Sequence, residues 1–305
     1  MLLGFIAAFT TLFSWSFGTL VFFRASRSID PGLLNRTRLL LAVGATAVLC
    51  CVIQGWWPWY IVTRSSLDQW IWLGLSGVIG LTIGDHLGFT SLRILGARRQ
   101  SIIGTIAPAA AAVVGFVVLG ETLTVMDIIG MVLSIGGVMY AMNSTQERHE
   151  VQTEGFGSFT LGIVLALGGA VCQGAGLVVA KIGLQSGSGD ITPFHATFMR
   201  MSVGFVGTYV FDILRRAPHR PLREAFVDRP AVRAMYLGVL FGPIIGVTCS
   251  LIAARNLNVA IAQTIMSMVP FVVIASAAIT QRTALPWRSV VGAVLAVTGV
   301  VILAL

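Results

Sequence analysis

The chain reads as an all-α integral membrane protein of ten transmembrane helices arranged as two inverted five-helix repeats, and three observations predict this. First, of its 305 residues 56% are apolar and 10% charged, with a mean hydropathy of +0.89. That leaves too few polar side chains to cover a soluble globule, so lipid must solvate it. Second, apolar runs of about 20 residues, the length that crosses a bilayer, recur at 2–23, 35–55, 70–91, 100–119, 124–143, 159–180, 194–213, 232–253, 260–280 and 287–305. Third, the stretch from Gly80 to Met139, moved along by 162 residues, falls without a gap on Gly242 to Val301. Thirteen of those sixty columns are identical, among them Gly84 with Gly246, Arg93 with Arg255, Pro108 with Pro270 and Gly137 with Gly299. The same shift carries Arg38 onto Arg200, so the repeat reaches back to the start of each half. Five is odd, so the second unit enters the membrane upside down relative to the first. The halves are residues 1–145 and 159–305, with a polar linker over 146–158.

The net charge of +8 is placed as a membrane protein places it. Fifteen of the twenty basic residues fall in the connections after spans 1, 3, 5, 7 and 9, among them Arg36. By the positive-inside rule both termini lie outside the cytoplasm. Nothing basic precedes the first apolar run, which is too long for a signal core, so it is expected to be an uncleaved first helix. Cys50, Cys51, Cys172 and Cys249 lie within spans at spacings that suit no metal and read as small core residues.

In chain order, span 1 holds Trp15 between Ser14 and Ser16 at mid-membrane depth, where a Trp lines a cavity or packs between helices. Arg38, early in span 2, is expected to snorkel to water rather than clamp a ligand. The run Trp56-Trp57-Pro58-Trp59-Tyr60 is an aromatic interface anchor followed by a breaker. Span 3 carries Gly80, Gly84 and Gly88 on one face, which allows close helix approach. Its Asp85 and His86 have no counterpart in the second half, where Val247 and Thr248 stand. An acid inside a span costs about 2.5–3.5 kcal/mol to insert. Two readings stay open for this pair: proton coupling or substrate contact, and local pairing of the Asp with a residue such as Arg93.

Pro108 and Pro270 sit mid-span in spans 4 and 9 and predict paired kinks flanking a central cleft. Thr105, Gln263 and Ser267 lie beside them and are candidates to line it, as is Gln173 of span 6. Glu121 is placed to cap the helix after it, and Thr283 replaces it in the second half. Gly130, Ser134 and Gly137 of span 5 and Gly292, Ala296 and Gly299 of span 10 form small-residue faces suited to pack on each other. His195 and Arg200 of span 7 are expected at the interface, and Arg215 to Arg233 is a basic run that sets topology.

Ten spans with Trp15 and Arg38 at these places resemble the EamA family of the drug/metabolite transporter superfamily. So do the sequence Gly84-Asp85-His86 through Arg93 to Pro108, and Leu119-Gly120-Glu121-Thr122-Leu123-Thr124 followed by Gly130 to Val138. The resemblance covers nearly the whole chain. It implies a multi-pass secondary carrier of the cell inner (plasma) membrane, an exporter of a small metabolite such as an amino acid or drug-like compound. Trp15, Gln173, Gln263, Ser267 and Thr105 are then the expected substrate contacts, and Asp85 and His86 the coupling groups. Partners are a small-molecule substrate and membrane lipid, with no nucleic acid; self-association into a homo-oligomer is left open. No cofactor or metal is expected. A membrane enzyme is disfavoured, because HExxH, GxSxG and Walker A motifs are missing from the sequence. The alternative is a non-transporting scaffold or sensor.

Overall fold

The computed structural model describes residues 1–55, 58–119, 124–142, 155–187, 191–218, 220–257, 259–281 and 287–303. Trp56, Trp57, Glu121, Thr283 and most of the polar linker lie outside the described residues. Among the described residues every regular element is helical. The first half contains α1 (Leu2–Ser28), α2 (Pro31–Gln54), α3 (Pro58–Arg64), α4 (Leu67–Gly104), α5 (Ala107–Leu119) and α6 (Val125–Met142). The second contains α7 (Phe159–Gln185), α8 (Pro193–Leu214), α9 (Arg229–Asn256), α10 (Val259–Met266), α11 (Val269–Gln281) and α12 (Trp287–Leu303). Five of these, α1, α2, α4, α7 and α9, are long and apolar enough to cross a membrane, and shorter apolar helices include α5, α6 and α12.

Local chemistry sets the helix ends. Asp30 accepts from the amides of Gly32 and Leu33 at 3.1 and 3.4 Å, with Pro31 in the first helical position of α2. Ser66 and Gln69 form a reciprocal capping box at the start of α4. At Gly96 the backbone turns to φ 81°, a conformation glycine adopts without a Cβ clash, and this breaks α4 where spans 3 and 4 were expected to separate.

The mid-span prolines do more than kink their helices. Spans 4 and 9 were expected to be continuous, but each is broken just before its proline, at Thr105-Ile106 and Ser267-Met268, two sites 162 residues apart. Pro108 and Pro270 are each the second residue of the helix that follows the break. Lacking an N–H, they give nothing to the carbonyls of Gly104 and Met266, and the chain tightens to three-residue bonds instead: Ile106 N to Ile103 O and Met268 N to Ile265 O, both 3.1 Å.

The halves interlock. α1 packs on α9 of the other half, α7 on α4, α2 on α8 and α6 on α12. Glycine governs the closest approaches. Gly176 lies against the backbone of Gly80, Gly169 against Gly84 and Gly88, and Gly18 against Gly242. The small faces of α6 and α12 do meet, Gly137 on Ala296 and Gly292, and Gly299 on Gly130 and Ser134. In lipid, where apolar burial between helices adds little, this close contact carries the association.

A Cβ at Gly137 would collide with the backbone of α12, whereas one at exposed Gly136 would meet nothing. Gly137→Val should therefore lower the thermal unfolding midpoint in detergent, reflecting roughly 1–3 kcal/mol of overpacking. Gly136→Ala should leave it unchanged or slightly raised. Equal midpoints for the two variants would contradict this packing.

Candidate functional site

Within the long helices α4 and α9, the segments Gly77–Gly84 and Leu240–Val247 widen into π-helical turns. Such turns displace carbonyls from their usual donors, and Pro243 removes a further N–H in the second. Side chains answer them: Asn35 of the same half donates to Leu81 O at 2.9 Å, and further bonds cross between the halves. Gln173 Nε2 donates to Gly80 O at 3.3 Å, and Ser76 Oγ, at the start of the first turn, donates to Gly176 O at 2.6 Å. Across the repeat, Ser14 Oγ donates to Phe241 O, and Thr11 Oγ1 reaches Gly246 O at 3.4 Å. Thr11 and Gln173 are repeat equivalents, and each bonds the π-turn of the opposite half.

Between these turns lies a cavity of about 240 Å³. Its walls come in repeat-related pairs, each separated by 162 residues: Trp15 with Leu177, Arg38 with Arg200, Asp85 with Val247, and Gly88 with Ser250. The two helix breaks add Ser101 with Gln263, Gly104 with Met266, Thr105 with Ser267, and Ala107 with Val269. A cavity lined in this way sits on the axis that relates the halves. It gathers all five expected contacts, Trp15, Thr105, Gln173, Gln263 and Ser267, together with Asp85. Trp15 lies with its indole over Gly246, where any side chain would displace it. Phe22 and Phe89, which meet edge to face at 5.0 Å, add to the apolar wall.

The charges in the cavity correct several expectations. Arg38 does not snorkel: it is 4% exposed. Its Nη2 donates to Asp85 Oδ2, its Nε donates to Asn35 Oδ1 at 3.0 Å, and its guanidinium lies 5.0 Å from the Phe89 ring centre. Asp85 Oδ1 in turn accepts from Gln173 Nε2 at 2.9 Å. The acid is thus paired with Arg38 rather than Arg93, whose guanidinium stacks on Phe156. Arg200, expected at the interface, is also 4% exposed and faces the same cavity, near enough for its charge to act on Asp85. His195 is likewise buried, its Nδ1 accepting from Thr192 N at 3.3 Å at the start of α8. Arg36, counted among the loop charges, is buried and paired with Asp212 of α8.

His86 leaves the cavity. Successive helical residues point about 100° apart, and its ring meets Arg215 Nη1 and the edge of Phe211. Ser101, Leu177, Phe22 and Phe89 also line the cavity, beyond the residues expected there. One signal could have found the arginines: the 162-residue shift carries Arg38 onto Arg200, a coincidence that two unrelated interfacial residues would not require. Among the described residues no cluster of three His, Cys, Asp or Glu side chains suits a metal ion.

Comparison with known proteins agrees with the duplicated architecture. The model of the EamA-like transporter family matches residues 2–143 and again 160–305. A crystal structure of another protein, 16% identical, matches with a TM-score of 0.65 over 98% of this chain and 95% of that one, a likeness of fold alone. No curated protein matches the sequence. With both halves matched, the chain is a multi-pass membrane protein that belongs to the EamA-like transporter family, within the drug/metabolite transporter superfamily.

Proposed function

We propose that the chain is a secondary carrier that exports a small metabolite across the cell inner membrane by alternating access, with the cavity between the halves as its cargo site. The observation that carries this reading is the pairing of the cavity walls: eight repeat-related pairs face one space. Two related halves can exchange conformations, so a site on their common axis is the one place both can open in turn. The helix breaks at Thr105-Ile106 and Ser267-Met268 support it, because interrupted backbone at membrane depth is tolerated where it lines a cavity. Trp15 supplies an apolar surface, and Thr105, Gln173, Gln263 and Ser267 supply hydrogen bonds. Asp85 is the proposed coupling group, since it is the one acid lining the cavity among the described residues and its pair with Arg38 can be opened by a proton. His86, outside the cavity, has no role at the cargo site in this reading.

The reading is tested in liposomes. Purified protein should support saturable counterflow of a labelled compound from a panel of amino acids and related metabolites. Trp15→Ala should weaken it roughly tenfold, the scale of one lost aromatic anchor. Folded protein that gives no counterflow across the panel would favour the scaffold reading. For coupling, Asp85→Asn keeps an oxygen for Arg38 but cannot ionise. It should abolish accumulation driven by a pH gradient while preserving exchange of bound cargo. Gradient-driven accumulation that persists in this variant would remove Asp85 from coupling.

A further inference from the structure

Accepting the cavity as the cargo site, the structure points to the charge of its cargo. Among the described residues three ionisable side chains line the cavity: Arg38, Arg200 and Asp85. With both guanidinium groups and the carboxylate charged, the walls carry a net charge of +1.

The single acid is already engaged. Asp85 accepts from Arg38 through one oxygen and from Gln173 through the other. Arg200 has no such arrangement: among the described residues it makes no hydrogen bond or ion pair and its Nε is buried without a partner, so the charge of Asp85 reaches it only at a distance. A guanidinium that is 4% exposed and unpaired is costly to bury. The repeat explains what it lacks. Arg200 is the counterpart of Arg38, and the position that would supply its acid, the counterpart of Asp85, is Val247. The second half has the arginine of the pair without its carboxylate.

We propose that the cargo brings the missing carboxylate: the cavity takes an organic monoanion whose carboxylate pairs with Arg200 and whose apolar or aromatic body lies against Trp15, Leu177 and Met266. A carboxylate on a buried guanidinium forms charge-assisted and often bidentate bonds. A zwitterionic amino acid would bring its ammonium into the same net positive wall, where the carboxylate of Asp85 is already paired with Arg38. An organic cation would face a net positive wall. The volume of about 240 Å³ approaches the range of small-molecule sites.

Calorimetric binding to the purified full chain, with four probes of one shape, tests this. The probes are 3-phenylpropanoate, phenylalanine, 2-phenylethylamine and 3-phenylpropan-1-ol. The anion should bind at least about tenfold more tightly than the other three, the scale of a buried charge pair. Arg200→Gln should abolish that preference and leave the alcohol unchanged, while Arg200→Lys should retain part of it. Val247→Asp, which supplies the acid internally, should abolish anion binding and keep the fold, so the test does not depend on Arg200 variants folding. Equal or tighter binding of the zwitterion, amine or alcohol would overturn the proposal. So would anion binding that survives both Arg200→Gln and Val247→Asp, or no binding of any probe. Counterflow separates the two readings: Arg200-dependent binding without transport would sink the carrier reading alone, and transport restricted to the zwitterion would sink the monoanion alone.

Discussion

Backbone polar groups at membrane depth must find partners inside the protein, and the rest of this structure depends on how that demand is met. Where α4 and α9 widen into π-helical turns, side chains bond the exposed carbonyls: Asn35 of the same half and Gln173 of the other at the first turn, Ser14 and Thr11 of the other half at the second. Neither half is complete in this respect. The glycine contacts follow the same plan, Gly176 on Gly80 and Gly169 on Gly84 and Gly88, because a side chain at Gly176 or Gly169 would crowd the facing backbone.

That mutual completion fixes where the cavity lies. The first helix of each half is drawn against a long helix of the other, α1 against α9 and α7 against α4, and the broken spans close the space between them. Polar groups therefore collect on the common axis: Thr105 and Ser267 from the breaks, Ser101 and Gln263 from the helices leading to them. The repeat is unequal in its charges. Arg38 is paired with Asp85, whereas the residue that corresponds to Asp85 in the second half, beside the second arginine Arg200 in the lining, is Val247. That inequality gives the site its net charge.

The duplication, the meeting of α6 with α12 and the convergence of Trp15, Gln173 and the groups beside the prolines were legible in the sequence, because each rests on spacing or on small residues that leave a local trace. The burial of Arg38 and Arg200 was not read from it. Near a helix end a long basic side chain can reach water or turn inward with equal ease, and the choice is made by a partner over forty residues away, Asp85 for Arg38. The breaks were foreseen only as kinks, since a proline marks the lost N–H but not whether the helix continues past it. Asp85 and His86 looked like one unit because they are neighbours in sequence, yet helical rotation sends His86 toward Arg215 and Phe211.

Alternating access requires one cavity on the axis between the halves to open to each side of the membrane in turn. Thr105 and Ser267 are its paired markers, one from each half. With Cys50, Cys51, Cys172 and Cys249 replaced, Thr105→Cys and Ser267→Cys would be placed singly in membrane vesicles of either orientation and exposed to a membrane-impermeant thiol reagent. The account predicts that each cysteine is labelled from both faces. Labelling of both from one face only, or of neither, would contradict it.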